Sequence, residues 1–351
     1  MDKDSPVGSA LPFYIGTYTG SGSRGIYKGL LDNEGHIELK GLAAETENPS
    51  FLAFSTNGEF LLAVNEIGPE GKLESFRIEG DSLILVSRSS SGGAHPCFVS
   101  LNNDGYILTA NYSSGTVGLL KMNNKGELNG LLDAQQHRGS GTTNRQKGPH
   151  AHSAMFEPAS TGVISVDLGT NELWFSELDT IGEKLLPAKQ GRLAMDPGAG
   201  PRHLAFHPTG KWLYVINELN STVTLVKKNE TGIFERGPSY STLPASYEGD
   251  NYCADIHISS DGNYVYASNR GHNSIAIFKV ENKTGSLIPS GHSPTCGEWP
   301  RNFALSPGED YLLVANQHSN NIVSLRRDRL SGSVEAVDTI KVTSPVCILF
   351  R

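Results

Sequence analysis

A paired-strand signature recurs along this chain of 351 residues, and its first and last copies are each only half a copy. The clearest instance is Pro201-Arg202-His203-Leu204-Ala205-Phe206, a turn at His207-Pro208-Thr209-Gly210, then Trp212-Leu213-Tyr214-Val215-Ile216-Asn217. Related stretches run from Pro49 to Asn65, Pro96 to Asn111, His152 to Asp167, Cys253 to Asn269 and Pro300 to Asn316. Pro345-Val346-Cys347-Ile348-Leu349-Phe350 reads as a first strand with no second, and Phe13-Tyr14-Ile15-Gly16 as a second strand with no first. A ring closed by pairing these two halves accounts for both.

The residue ending each second strand marks the period. Gly16, Asn65, Asn111, Asp167, Asn217, Asn269 and Asn316 are separated by 49, 46, 56, 50, 52 and 47 residues. Seven units at this spacing match propeller blades. Short apolar runs such as Leu61-Leu62-Ala63-Val64 and Tyr311-Leu312-Leu313-Val314 have the pattern of strands buried on both faces. Turn stretches such as Thr56-Asn57-Gly58 and Ser260-Asp261-Gly262 precede them, with Gly supplying positive φ. No long helical periodicity interrupts the pattern. The expected fold is all-β, a seven-bladed β-propeller whose C-terminal strand completes the N-terminal blade. Residues 11–351 form the single propeller domain in this reading, and residues 1–10 a flexible N-terminal segment.

Composition narrows the function classes. Apolar residues are 37% and charged residues 19%, too apolar for disorder, and no apolar run approaches the roughly 18 residues of a membrane span. The formal net charge of -8 argues against a nucleic-acid surface. The short basic run Arg326-Arg327-Asp328-Arg329 reads as a solvated hairpin. Cys97, Cys253, Cys296 and Cys347 form no C-x-x-C pair, so buried free thiols in a reducing compartment are the simplest expectation. Met1-Asp2-Lys3-Asp4-Ser5-Pro6 has no basic-then-apolar signal segment, which favours a cytoplasmic location while leaving room for an export signal removed beforehand.

Antiparallel pairing puts the start of each first strand and the end of each second strand on one face of the ring. The unusual polar residues fall at these places. His150, His152, Arg202 and Arg301 stand at first-strand starts, with His257 two positions deeper. Tyr18, Glu66, Tyr112, Asp167, Glu218, Arg270 and Gln317 stand at second-strand ends. Any one of them fits the wet polar channel of a propeller. Together, several arginines with histidines and a carboxylate at one mouth point to an anionic ligand and perturbed pKa values. The recurring Asn markers read as structural caps, and His207 falls on the opposite face. No G-x-S-x-G elbow, P-loop or H-E-x-x-H is present. His150 and His152 share one side of a strand, a spacing able to hold a metal, but without clear partner carboxylates no metal or other cofactor is expected.

Three motifs then resemble a known family. They are Gly148-Pro149-His150-Ala151-His152-Ser153; Gly198-Ala199-Gly200-Pro201-Arg202-His203 with Asn217-Glu218-Leu219-Asn220-Ser221; and Ala254-Asp255-Ile256-His257-Ile258 with Ser268-Asn269-Arg270. They are similar to those of the seven-bladed propeller lactonases, which include the bacterial propeller-type 6-phosphogluconolactonase and the fungal carboxymuconate-lactonizing enzyme. The likeness runs from about Phe13 to Phe350. It implies a central cleft in which His152 (or its neighbour His150), Arg202, Glu218 and Arg270 act. Aligning Phe156 with Phe206 sets His152 opposite Arg202 and favours His152. His150, Arg301, Asp255 and His257 are the candidate substrate contacts. The implied reaction is hydrolysis of a sugar lactone, 6-phosphogluconolactone in the pentose phosphate pathway, with a small anionic sugar lactone as the expected partner and neither nucleic acid nor membrane. The alternatives are a lactonizing cycloisomerase acting on a muconate-type diacid, a metal-dependent gluconolactonase using Asp167, Glu218 or Asp255, and a non-catalytic propeller scaffold.

Overall fold

The computed structural model describes residues 10–351, so the flexible segment expected at residues 1–10 lies outside the described residues except for Ala10. Seven four-stranded antiparallel sheets follow one another around a ring. Their innermost strands are Pro345–Phe350 (blade 1), Leu52–Phe54 (blade 2), Pro96–Leu101 (blade 3), Ala151–Phe156 (blade 4), Pro201–Phe206 (blade 5), Tyr252–Ile258 (blade 6) and Pro300–Leu305 (blade 7). Each pairs with the strand that follows it. Blade 1 is the exception, because its second strand is Leu11–Thr17 from the other end of the chain. There Phe13 pairs with Phe350, Ile15 with Ile348 and Gly16 with Cys347, as the two half-copies predict.

Burial explains why the ring closes. The second strands Phe60–Asn65, Tyr106–Asn111 and Tyr311–Asn316 are buried at every position, whereas outer strands such as Leu128–Gln136 alternate between half-buried and exposed. The apolar residues gather into seven clusters, each lying between two neighbouring blades. One joins Leu313, Ala315 and Ile322 of blade 7 to Phe13, Ile15 and Ile348 of blade 1. Another joins Tyr14, Ile26 and Cys347 of blade 1 to Leu61, Ala63 and Phe76 of blade 2. Each fully buried aliphatic or aromatic side chain contributes about 1.5–3 kcal/mol. Without the C-terminal strand, both interfaces of blade 1 would lose a wall and the blade would expose a strand edge.

The turns and markers behave as read. Gly210 and Gly262 adopt φ of 69° and 73° in the turns between first and second strands. His207 sits on that face, 2.8 Å from Thr209 Oγ1 and 3.3 Å from the Gly262 carbonyl of the next blade, a structural tie. The Asn111 and Asn269 amides donate to the carbonyls of Ser91 and Thr242, anchoring the chain that enters each blade. Cys97, Cys253 and Cys347 are buried free thiols, and Cys296 is exposed.

One expectation is corrected. Arg327 is not part of a solvated hairpin: strand alternation turns it into the interface with blade 6. There it donates to Tyr266 Oη at 2.7 Å and lies 3.3 Å from Glu309.

Candidate active site

A β-bulge repeated around the ring builds the site. In blades 1, 3, 4, 5 and 7 the pairing skips the second residue of the innermost strand, leaving Val346, Cys97, His152, Arg202 and Arg301 between paired neighbours. A bulge re-aims the side chain of its extra residue. Cys97, His152 and Arg301 thereby face a cavity of about 380 Å³. Glu66, Tyr112, Glu218, Arg270 and Gln317, each next to a marker, and Tyr18, two positions past Gly16, line the same cavity together with Arg145, Tyr252 and Trp299.

Glu218 is the electrostatic centre. Its Oε2 lies 2.8 Å from Arg270 Nη2 and 3.3 Å from Arg202 Nε, and its Oε1 accepts from Arg145 Nη2 at 3.1 Å. Burial alone would raise its pKa, but Arg270, Arg202, Arg145 and Arg301 together outweigh burial and hold it at about 2. Glu218 is therefore an ionised anchor for guanidiniums at neutral pH, not a proton acceptor.

Arg270 is fixed by donating to the Tyr252 and Cys253 carbonyls at 3.2 and 3.0 Å. Its guanidinium packs 5.2 Å from the centroid of the Trp299 ring. Arg301 donates to Tyr18 Oη at 2.7 Å, and Tyr18 in turn donates to Glu66 Oε2 at 2.7 Å. Arg202 lies beneath the cavity rather than in its wall, donating to the Ala254 carbonyl. Burial and the like charges of Arg270 and Arg301 lower its pKa to about 10, so it stays charged.

His152 is buried yet lines the cavity. Its Nδ1 lies 3.6 Å from Cys97 Sγ, and among the described residues its Nε2 has no hydrogen-bond partner. Burial first, then Arg202, His203 and Arg301, hold its pKa well below the ordinary imidazole value. The ring is thus neutral, with a lone pair able to take a proton. The Cys97 thiol beside it is pushed far up by burial and is not a thiolate nucleophile.

Four expected site residues lie elsewhere. His150 stacks on Tyr112 with ring centroids 4.5 Å apart and donates from Nδ1 to the Tyr112 carbonyl, behind the wall. Asp167 is committed to His137 Nδ1 at 2.7 Å and to the backbone N–H of His150. Asp255 and His257 do not line this cavity. They lie deeper in the channel, facing a second cavity of about 540 Å³ on the other side of a plug containing Phe51, Phe98, His203 and Asn302. Asp167, Glu218 and Asp255 do not converge, and among the described residues no cluster of His, Cys, Asp and Glu is arranged to hold a metal.

Arg145, Tyr252 and Trp299 were not expected. Arg145 sits in a short 3-10 turn between blades 3 and 4, bridging Tyr112 Oη and Glu218. The 56-residue gap between Asn111 and Asp167, the longest in the repeat, was the available signal for the insertion that carries it. Trp299 precedes the innermost strand of blade 7 with φ of 65°, a conformation bulky residues rarely adopt. Cys97 holds the repeat position of His152, Arg202 and Arg301, and aligning the first strands on their leading residues would have found it.

Among the described residues no helix is long and apolar enough to cross a membrane. The family model for seven-bladed β-propeller lactonases matches residues 12–350. The 6-phosphogluconolactonase of Bacillus subtilis (strain 168) is 35% identical over 343 residues, covering 96% of this chain and 97% of the relative. The periplasmic gluconolactonase of Pseudomonas aeruginosa superposes with a TM-score of 0.93 at 30% identity, covering 97% of this chain and 99% of the other. A protein of Lactobacillus plantarum superposes at 0.92 and 32% identity, covering 98% and 100%. Sequence and fold together therefore show that the chain belongs to the seven-bladed β-propeller lactonase family.

Proposed function

We propose that the chain hydrolyses a sugar lactone carrying a phosphate, 6-phosphogluconolactone, to the open acid. Charge carries this reading. Three guanidiniums, of Arg145, Arg270 and Arg301, share the mouth with two carboxylates, Glu66 and Glu218, and a fourth, of Arg202, lies beneath it within ion-pair distance of Glu218. A lactone ring is uncharged and would leave that excess unmatched, whereas a phosphate group brings about -1.5 to -2. The names of two relatives, a 6-phosphogluconolactonase and a gluconolactonase, agree on the ring and differ on the phosphate.

In this reading Nε2 of His152 takes a proton as water attacks the lactone carbonyl, and Arg270 stabilises the negative charge growing on the carbonyl oxygen. The tetrahedral intermediate collapses by breaking the ring C–O bond. His152 returns its proton to the departing alkoxide, which becomes the sugar hydroxyl, and the product acid leaves, losing its own proton to solvent to become the carboxylate. Arg301 and Arg145 grip the phosphate, Arg145 being the half-exposed member of the set. The test compares hydrolysis of 6-phosphogluconolactone with that of unphosphorylated gluconolactone. The reading expects the phosphorylated ring to be favoured in kcat/KM by at least about tenfold, the worth of one charge-assisted hydrogen bond. Equal kcat/KM for both removes the phosphate from the account.

A further inference from the structure

We infer that Asp255 is a positioning residue which, by fixing the tautomer of His203, holds the Arg202 guanidinium beneath the reaction cavity. Its kinetic consequence rests on the lactonase reading above; its structural core does not.

Arg202 and His203 are consecutive, and in a regular strand their side chains would point to opposite faces. The bulge at Arg202 breaks that alternation. Arg202 Nη1 comes within 3.3 Å of His203 Nε2. A guanidinium has only donors, so this Nε2 accepts and carries no proton. The ring proton therefore sits on Nδ1, which points at Asp255 Oδ1 from 2.8 Å. Burial and the neighbouring Arg202 lower the pKa of His203 to about 4, which keeps the ring neutral.

The hold matters because Glu218 does not supply it alone. Arg202 Nε lies 3.3 Å from Glu218 Oε2, within ion-pair distance, yet among the described residues that N–H makes no hydrogen bond. The guanidinium is oriented instead through Nη1, by the Ala254 carbonyl and His203.

Asp255 is itself over-determined. Oδ1 accepts from His203 Nδ1 and the Ile256 N–H at 3.0 Å. Oδ2 accepts from His257 Nε2 at 3.1 Å, Asn302 Nδ2 at 2.5 Å and the Phe303 N–H at 3.4 Å. Asn302 accepts in turn from the Ile348 N–H of the closing strand at 2.7 Å. In Asp255→Asn the single carbonyl oxygen would go to the side with three donors. The amide would then face His203 Nδ1 and force it to accept, moving the ring proton to Nε2 and turning it against Arg202. A carboxylate that sets an imidazole tautomer acts by the same logic in hydrolytic triads.

The test is 15N NMR of imidazole-labelled protein at neutral pH, for wild type and Asp255→Asn, with steady-state lactone hydrolysis by each. The wild type is expected to show His203 protonated at Nδ1 and bare at Nε2. In Asp255→Asn the proton should move to Nε2 and kcat should fall about 10²-fold, as for a misplaced catalytic-site group, with KM little changed. His203→Gln, whose side-chain oxygen can still accept from Arg202, should retain more activity than His203→Leu. A wild-type His203 protonated at Nε2 overturns the inference, even where Asp255→Asn fails to fold. So does an Asp255→Asn protein with tautomer and kcat unchanged. Should the wild type hydrolyse no lactone, the functional reading fails while the wild-type tautomer still decides this one.

Discussion

The Glu218 carboxylate and the Arg270 guanidinium stand 2.8 Å apart with side chains only 6% and 5% exposed. A pair this dry is costly to break, because the surviving charge is left buried without a partner. Glu218→Gln should therefore destabilise the fold by about 3–5 kcal/mol. Arg145 reaches the same carboxylate from a side chain 51% exposed. Arg145→Ala should cost less than about 1 kcal/mol of stability while raising KM for the phosphorylated lactone about tenfold. Denaturant melts and steady-state kinetics on the two variants check the contrast. Equal destabilisation by both would contradict it.

The pH profile of kcat/KM should report His152. A general base works when unprotonated, so activity falls as pH drops through its pKa in the free enzyme. That pKa is depressed, first by burial and then by Arg202. The acid limb should accordingly lie well below the usual imidazole value of about 6.5. Replacing Arg202 by Met removes a repelling positive charge, so the limb should move to higher pH. A limb near 6.5 in the wild type, unmoved in the variant, would remove His152 as the base.

Closure by the C-terminal strand is a stability claim. Val346, Cys347 and Ile348 are buried in blade 1, and their strand walls two interblade clusters. Removal of residues 345–351 should cost several kcal/mol from these side chains alone and expose a strand edge prone to aggregation. Thermal melts of the full and shortened chains test this, and an unchanged Tm would refute it.

The ring was legible because it is periodic: six blades repeat the turn glycine or its substitute ahead of a buried second strand, and five of the seven end that strand on the Asn marker. The mouth was legible because strand direction follows from pairing. Bulges leave no such pattern, since one extra residue in an apolar strand looks like any other. Asp255 and His257 show the consequence. In blade 6 the pairing jumps from Cys253 opposite Asn269 to Ile256 opposite Ala267. Ala254 and Asp255 thus stand against a single partner residue, with the Asp255 N–H on Ser268 Oγ. His257 was read two positions deeper than the strand starts and Asp255 entered as a substrate contact only through the family resemblance, whereas the structure sets both below the mouth. Arg145 escaped for a different reason: it lies outside the repeat, on an insertion whose length was visible and whose direction was not.

The account rests on a neutral His152 acting within an arginine-rich mouth, and the most direct measurement is hydrolysis of 6-phosphogluconolactone by wild type and His152→Gln. Wild-type turnover is expected, with kcat reduced about 10²–10⁴-fold in the variant and its melting temperature nearly unchanged. A His152→Gln enzyme as fast as the wild type would contradict the account.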